Sequence, residues 1–195
     1  MILKKFLNLQ ILKSFKDFKK KYKEIFDFAI YGSVVRKKIN ANDIDIAIIF
    51  SSPEKLDKKL NLSQELKNEL KKIIDYDFDV KGIDIPDLLD SSFIACKSIM
   101  AEGFLVIRKK FLHEILGFKA YYIFSYSLKN LSPSKKVMFQ YALRGRRGEK
   151  GIIEITKSVS IGRSAVKVPL EHSEEFKEFF EKNKIGYKIY RSLIY

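Results

Sequence analysis

The segment Asp43–Phe50 restricts the fold of this chain more than any other, because two acidic residues open an apolar run. Its last five residues read Ile-Ala-Ile-Ile-Phe, which predicts a strand. Strand and helix patterns alternate around it up to about residue 108, and this alternation favours an α/β catalytic unit. Asp43 and Asp45 are two residues apart, so we expect their side chains on the same face of the strand.

The elements around this strand follow from apolar spacing, alternation and turn residues. Helices are expected over residues 2–24, over residues 52–74 with a break near Asn61, and over residues 86–101. Strands are expected at residues 26–31, 76–85 and 104–107.

The remaining residues are predicted to form a smaller and more basic part. Residues 110–131 are expected to be mostly helical, and a further helix begins at Ser132-Pro133 and ends in a flexible basic loop at residues 144–151. The later elements are expected to be strands at 152–157 and 164–168, a helix at 173–183 and a strand at 187–194. We therefore expect a catalytic domain over residues 1–115 and, over residues 116–195, a helical connector with a small α+β module.

Composition narrows the class of partner. The chain carries 38 Lys and Arg against 24 Asp and Glu, a net charge of +14, which favours a polyanionic partner or a phosphate-rich substrate. Its single cysteine, Cys96, excludes an internal disulfide and favours the cytoplasm. No apolar run approaches the roughly 20 residues of a membrane span, so no membrane partner is expected.

A Gly-Ser turn precedes the acidic strand. Gly32 would let the backbone approach a phosphate closely, and Ser33 could offer its hydroxyl and amide to the same group. Arg36, one turn later, could meet phosphate oxygens. Because Asp43 and Asp45 repel each other, a divalent cation is the simplest compensation for their charges. With a third carboxylate they could hold two metal ions about 3.5–4 Å apart.

The order Gly32-Ser33, a spacer over residues 34–42 and Asp43-Ile44-Asp45 in an apolar strand resembles the signature of the DNA polymerase beta nucleotidyltransferase superfamily. The closest branch is the minimal, kanamycin-nucleotidyltransferase-like one, and the resemblance covers roughly residues 20–108. It implies an α/β (α+β) core with a mixed sheet. It also implies transfer of a nucleoside monophosphate from a nucleoside triphosphate, with ATP the expected one, to an acceptor hydroxyl.

The same resemblance assigns roles to individual residues. Gly32, Ser33 and Arg36 would bind the triphosphate, and Asp43 and Asp45 would bind two Mg²⁺ or Mn²⁺ ions together with a third carboxylate. Three aspartates are candidates for that third position: Asp77, Asp79 and Asp84. The family pattern of an aspartate between apolar residues favours Asp79, which lies between Phe78 and Val80, as a metal ligand or as the base.

The acceptor is the least determined part of the prediction. The basic second part favours RNA, such as a tRNA-like 3′ end, as the acceptor. A protein acceptor and a small-molecule acceptor are the alternatives. Candidate nucleic-acid contacts are Arg144, Arg146, Arg147 and Lys150, although a solvated turn explains them equally well. Two other functions fit the sequence: a catalytically silent nucleotide- or nucleic-acid-binding protein, and an antitoxin-type protein adenylyltransferase.

Overall fold

The computed structural model describes residues 7–36, 43–90, 92 and 94–195. The chain divides into two compact units, Met1–Phe118 and Lys119–Tyr195. The first unit contains the acidic strand and the Gly-Ser turn, and the second contains the basic residues 144–150. The two domains predicted with a boundary after residue 115 stay a prediction.

A mixed five-stranded sheet forms the centre of the first unit. Its strands are β1 (Ile25–Tyr31), β2 (Asp43–Phe50), β3 (Asp77–Asp84), β4 (Phe104–Leu105) and β5 (Lys110–Phe111). They lie in the order β3-β2-β1-β4-β5. β2 and β3 run parallel, whereas the other neighbouring strands run antiparallel. The predicted mixed-sheet core is therefore confirmed, and the acidic end of β2 lies beside the start of β3.

Helices cover this sheet and connect its strands. They are α1 (Leu9–Lys21), α2 (Leu56–Lys71), α3 (Ile94–Glu102) and the short α4 (Leu112–Ile115). The helix predicted over residues 2–24 is observed as α1, with residues 1–6 outside the described residues. α2 continues through the predicted break near Asn61, and it begins three residues after Pro53 because Lys55 is still extended. The helix predicted over residues 86–101 was wrong in its first half, where Pro86–Leu89 is a 3-10 turn.

The core of the first unit explains why these elements form. Phe15 and Phe18 of α1 are fully buried and pack on Phe28 of β1, with ring centroids 4.8 and 6.1 Å apart. Leu66 and Leu70 of α2 are also fully buried. The last five residues of β2 are all buried, as expected for a strand with neighbours on both edges and cover on both faces.

The second unit is built on a four-stranded antiparallel sheet. Its strands are β6 (Lys119–Tyr126), β9 (Val159–Gly162), β10 (Ala165–Pro169) and β11 (Tyr187–Ile194), in the order β11-β6-β10-β9. The helices are α5 (Pro133–Arg144), α6 (Ile152–Ile155) and α7 (Ser173–Lys182), and a 3-10 turn lies at Leu170–His172. β7 (Gly145–Arg146) and β8 (Glu149–Lys150) form a separate two-stranded ribbon.

Several predictions for this second unit were wrong. The expected helical connector is absent from residues 119–126, which form the central strand β6. Burial alternates along β6, because Tyr122, Phe124 and Tyr126 point into the core and their neighbours do not. Residues 152–155 form α6 rather than a strand. The predicted flexible loop at 144–151 is largely the β7–β8 hairpin, with positive φ at Arg147 and Gly148 in its turn.

Aromatic rings fill the core of the second unit. Phe124 of β6 contacts Phe176 and Phe180 of α7, with ring centroids 5.6 and 5.5 Å apart. Phe139 of α5 contacts Tyr126 at 5.5 Å and Phe180 at 6.0 Å. α5 and α7 therefore pack on the same face of the sheet. Within the part of the chain that the structure describes, no helix has the length and apolar character of a membrane span.

We expect Phe180→Ala to lower the free energy of unfolding of the second unit by about 3–5 kcal/mol, because a fully buried ring is replaced by a cavity. Native-state hydrogen exchange of the β6 amides measures this loss. Phe179→Ala is the matched control, since the neighbouring ring is partly exposed and should cost less. Equal losses in the two variants would contradict the packing described above.

Candidate active site

The turn that follows β1 places the Gly-Ser pair against the acidic strand. Gly32 has φ of +78°, a conformation that residues with a side chain rarely adopt. A Cβ atom at this position would collide with the carboxylate of Asp45. The backbone of the turn is therefore in direct contact with that carboxylate, and only glycine allows this approach.

Parallel pairing of β2 and β3 brings four aspartates to one face of the sheet. Asp43 pairs with Asp77, and Asp45 pairs with Asp79. Side chains at paired positions and at positions two residues apart share a face. Tyr31 of β1 pairs with Asp45 from the other side and belongs to the same face. We call Asp43, Asp45, Asp77 and Asp79 the aspartate face.

Burial and charge act together on Asp45. Its pKa is raised above the usual value of 3.8, first by burial and then by the carboxylates of Asp43 and Asp79. Lys81 and Arg36 act in the opposite direction and lower this pKa. A cation that reaches Asp45 would therefore stabilise the ionised form of its carboxylate.

The three candidates for the third carboxylate have different partners. Asp79 is bound to Lys81 at 2.7 Å, and both side chains are almost half exposed. Asp77 is 78% exposed and contacts Lys71 at 3.2 Å. Asp79 is therefore the better placed of these two, because it is the direct neighbour of Asp45 and is less exposed.

Asp84 lies at the opposite end of β3 and has a structural role. It pairs with Phe50, five residues beyond Asp79, which is about 16 Å along a strand. Its carboxylate is buried and accepts a hydrogen bond from Lys59 Nζ at 2.6 Å. Lys59 also contacts Asp87 at 3.2 Å, so Asp84 belongs to an ion-pair group that joins α2 to β3.

Two buried hydroxyl groups beside the aspartate face lack partners. Tyr31 Oη and Ser33 Oγ are inaccessible to solvent, and no hydrogen-bond partner for either lies within the described residues. The pKa of Tyr31 is raised by burial and by Asp45, Asp79 and Asp43, in that order. Unpaired buried hydroxyls cost free energy, and a ligand bound at this site would offset that cost if it supplied their partners.

Arg36 is held by an acidic residue that the sequence did not single out. Its guanidinium lies 2.5 Å from the carboxylate of Glu102, at the end of α3, and Glu102 is fully buried. Arg36 still lies close enough to Asp45 to lower its pKa. The predicted phosphate-binding residue is therefore at the site, with its orientation fixed by Glu102.

The donors of the aspartate face fit a hard divalent cation. Among the described residues, no group of three or more His, Cys, Asp or Glu side chains is gathered so that it could hold a metal ion. Mg²⁺ is usually held by one or two carboxylates together with substrate phosphates and waters, so a complete protein cage is not required. Asp43 and Asp45 would supply such a pair, while Asp79 is paired with Lys81 in this structure.

The predicted basic contacts lie in the second unit, at the β7–β8 hairpin. Arg144 donates hydrogen bonds to Gln140 at 3.2 Å and to Ser160 at 3.1 Å. The guanidinium of Arg146 stacks on the ring of Tyr141, 4.4 Å from its centroid. Arg147 is at the exposed turn, and Lys150 contacts Glu154 at 2.9 Å. Arg147 is thus the residue of this set that the turn presents most openly.

Comparison with known proteins identifies the class to which this fold and site belong. The chain matches the family described as polymerase beta, nucleotidyltransferase, over residues 13–111. The match covers half of the chain and includes the Gly-Ser turn and the aspartate face, so the chain belongs to the polymerase beta nucleotidyltransferase family. The resemblance seen in the sequence is thereby confirmed. No curated protein matches this chain.

Three residues of the site were not found from the sequence: Tyr31 as a buried hydroxyl, Lys81 and Glu102. Lys81 could have been found, because it lies two residues after Asp79 on a predicted strand and so shares its face. Glu102 could not, because it lies at the end of α3, 66 residues beyond Arg36 in the sequence. His113 is buried outside this site, with Nδ1 2.9 Å from the carbonyl oxygen of Ala101.

We expect Asp45→Asn to raise the free energy of unfolding near neutral pH in buffer with a chelator, because the raised folded-state pKa means that ionised Asp45 destabilises the fold. A group with a raised pKa loses stability as pH rises from its unfolded value of 3.8 through its folded value. The gain in the variant should therefore shrink as pH falls toward 3.8. Urea denaturation between pH 4 and pH 8 measures it.

Asp77→Asn is the matched control for this measurement. Its carboxylate lies on the same face but is 78% exposed, so the change should stay within about 0.5 kcal/mol. If Asp45→Asn were destabilising at every pH, the electrostatic description of the aspartate face would be wrong.

Proposed function

We propose that this protein is an active, metal-dependent nucleotidyltransferase that moves a nucleoside monophosphate from a nucleoside triphosphate, with ATP as the expected donor, to an acceptor hydroxyl. The observation that carries the proposal is the pairing of Asp45 with Asp79 directly beside the Gly32 turn. Membership of the polymerase beta nucleotidyltransferase family supports the same chemistry.

The proposed reaction is a substitution at the α-phosphorus. The acceptor oxygen forms a bond to this phosphorus, and the bond from the α-phosphorus to the oxygen that bridges it to the β-phosphate breaks. Pyrophosphate leaves with the bonding electron pair. The proton of the acceptor hydroxyl passes to a carboxylate, for which Asp79 is our candidate.

Each residue of the site has a proposed part in this reaction. Asp43 and Asp45, with Asp79, would hold Mg²⁺ or Mn²⁺, which supplies compensation for the charge on the phosphate oxygens. Gly32 lets the backbone approach the triphosphate, and the hydroxyl of Ser33 would donate to a phosphate oxygen. Arg36, oriented by Glu102, would add positive charge beside the same group.

Asp79 would change partners when substrate binds. The Asp79–Lys81 contact is partly exposed, and such ion pairs contribute only about 0–1 kcal/mol. A metal ion or an acceptor hydroxyl could therefore displace Lys81 at low cost. The freed ammonium group would then be available to phosphate oxygens.

The same ion pair is the observation that favours the alternative function. If Lys81 kept Asp79 occupied, the protein would bind nucleotide without transferring it. A silent nucleotide- or nucleic-acid-binding protein would then be the correct description. Transfer of label separates this alternative from the proposal.

RNA is the acceptor that we propose, because the second unit is strongly basic. Lys119–Tyr195 holds 16 Lys and Arg against seven Asp and Glu. The β7–β8 hairpin, with Arg144, Arg146, Arg147 and Lys150, is one proposed contact with the RNA backbone. A protein acceptor, as in an antitoxin-type adenylyltransferase, would show itself as label in protein.

We expect wild-type protein, incubated with each α-³²P-labelled nucleoside triphosphate, Mg²⁺ or Mn²⁺ and cellular RNA and protein, to place label in RNA. Asp43→Asn/Asp45→Asn should reduce transfer by at least 1,000-fold, because loss of the metal-binding pair removes several kcal/mol of transition-state stabilisation. Asp79→Asn should give a large loss and Asp77→Asn a small one, which distinguishes the two candidates. Full transfer in the double variant would refute the site.

We expect Tyr31→Phe to stabilise the nucleotide-free protein by about 1–3 kcal/mol, because it removes a buried hydroxyl that has no hydrogen-bond partner among the described residues. The same change should weaken binding of nucleoside triphosphate with Mn²⁺ by about 2- to 10-fold, the effect of one hydrogen bond. Thermal denaturation and calorimetric titration measure the two effects. Tyr126→Phe is the control, since that hydroxyl has a partner in the Arg163 carbonyl and should show neither gain nor weakened binding.

A further inference from the structure

The two faces of the four-stranded sheet in the second unit differ in burial. Along β6 and β10 the residues that point toward α5 and α7 are buried: Ala120, Tyr122, Phe124, Tyr126, Val166 and Val168. The alternate positions on these strands are all partly or fully exposed. We call this second side the open face, and its principal residues are Lys119, Tyr121, Ile123, Lys167, Lys188 and Tyr190.

Two tyrosines on the open face are diagonal neighbours. Tyr190 of β11 pairs with Ile123 of β6, and Tyr121 lies two residues from Ile123 on the same strand. Residues related in this way are about 7–8 Å apart, so their rings are within reach of two adjacent bases. Tyr190 is 53% exposed, although an aromatic side chain on a sheet gains from being covered.

Positive charge accompanies these rings. Lys167 of β10 lies over the ring of Tyr121, with Nζ 4.6 Å from the centroid. Lys119 and Lys188 lie at other positions of the open face. No carboxylate within the described residues forms an ion pair with any of these three lysines.

Acidic residues are absent from the four strands of this sheet. β6, β9, β10 and β11 contain no Asp or Glu, and the seven acidic residues of the unit lie in the hairpin, in α6 and in the segment 171–181. The strands that form the open face therefore contribute positive charge and no negative charge to it. This charge is complementary to a phosphate backbone, and the aromatic rings are complementary to unpaired bases.

We propose that the open face binds single-stranded RNA, with Tyr121 and Tyr190 stacking on bases and Lys119, Lys167 and Lys188 contacting phosphates. A double helix does not offer the flat side of its bases, so stacking selects a single strand. This inference deepens the proposed function, because it places the acceptor RNA on a sheet surface in addition to the basic hairpin.

RNA binding without nucleotide or metal tests the inference separately from transfer. The probe is a fluorescein-labelled single-stranded 15-nucleotide RNA, and fluorescence anisotropy with the full chain in EDTA gives Kd at several salt concentrations. We expect Tyr121→Ala/Tyr190→Ala to raise Kd by about tenfold or more while the salt dependence stays the same, because stacking is lost and phosphate contacts are kept. Tyr121→Phe/Tyr190→Phe should keep wild-type affinity, because the rings are retained.

Removal of positive charge should instead change the salt dependence of RNA binding. Lys167→Gln/Lys188→Gln should reduce the slope of log K against log salt by about 1.4, since each phosphate contact with a single strand contributes about 0.7. Arg144→Ala/Arg146→Ala/Arg147→Ala should also reduce this slope if the hairpin contacts the backbone. Tyr195→Ala, which removes a fully exposed tyrosine outside the strands, is the control and should leave Kd unchanged.

Three results would overturn the inference: no binding of the RNA by the wild-type chain, an unchanged Kd in Tyr121→Ala/Tyr190→Ala, or equal affinity for the same sequence as a duplex. If the double alanine variant does not fold, as judged by circular dichroism, Tyr190→Ser alone carries the test, because that side chain is already half exposed. RNA binding through the open face without label transfer would refute the proposed activity and support this inference. Label in protein without RNA binding would support the proposed transferase activity and refute this inference.

Discussion

The parallel pairing of β2 with β3 is the constraint on which the site depends. It places Asp43, Asp45, Asp77 and Asp79 on one face, where burial and neighbouring carboxylates raise the pKa of Asp45. This arrangement opposes folding, because like charges are brought together while one of them is partly removed from water. The buried apolar residues of β1, β2, α1 and α2 offset this cost and hold the carboxylates in register. The stable core therefore permits an electrostatically unfavourable arrangement of carboxylates on the aspartate face.

The positive residues of the first unit divide its carboxylates into two groups. Lys59 and Arg108 neutralise the buried Asp84 and Asp27, which makes these two acids structural. Asp27 also accepts hydrogen bonds from the backbone of Ile107 and Phe28, so its oxygens are occupied. Asp43 and Asp45 have no ion-pair partner of this kind among the described residues. The buried ion pairs of Asp84 and Asp27 therefore contribute to the fold, whereas the partners of Asp77 and Asp79 are partly exposed.

The sheet of the second unit differs from that of the first, because it has one apolar face and one basic face. Rings of β6, α5 and α7 fill the covered side, with centroid separations near 5.5 Å. Lysines and tyrosines occupy the other side, and acidic residues are confined to elements outside the sheet. The chain thus combines an acidic face in the first unit, where we propose that metal and triphosphate bind, with a basic face in the second unit, where we propose that RNA binds.

Local sequence patterns were sufficient to predict the main elements of the first unit and the places of Gly32, Ser33, Asp43 and Asp45 in them. Turn chemistry, strand alternation and apolar runs are local properties, so they can be read before any tertiary contact is known. Tertiary structure decided what depends on distant residues: Asp79 rather than Asp84 lies beside Asp45, and Glu102 orients Arg36. It also decided that residues 119–126 form a strand, because their partners lie at 165–169 and 187–194. A helical pattern and a strand pattern compete in such an aromatic segment, and long-range pairing settles the competition.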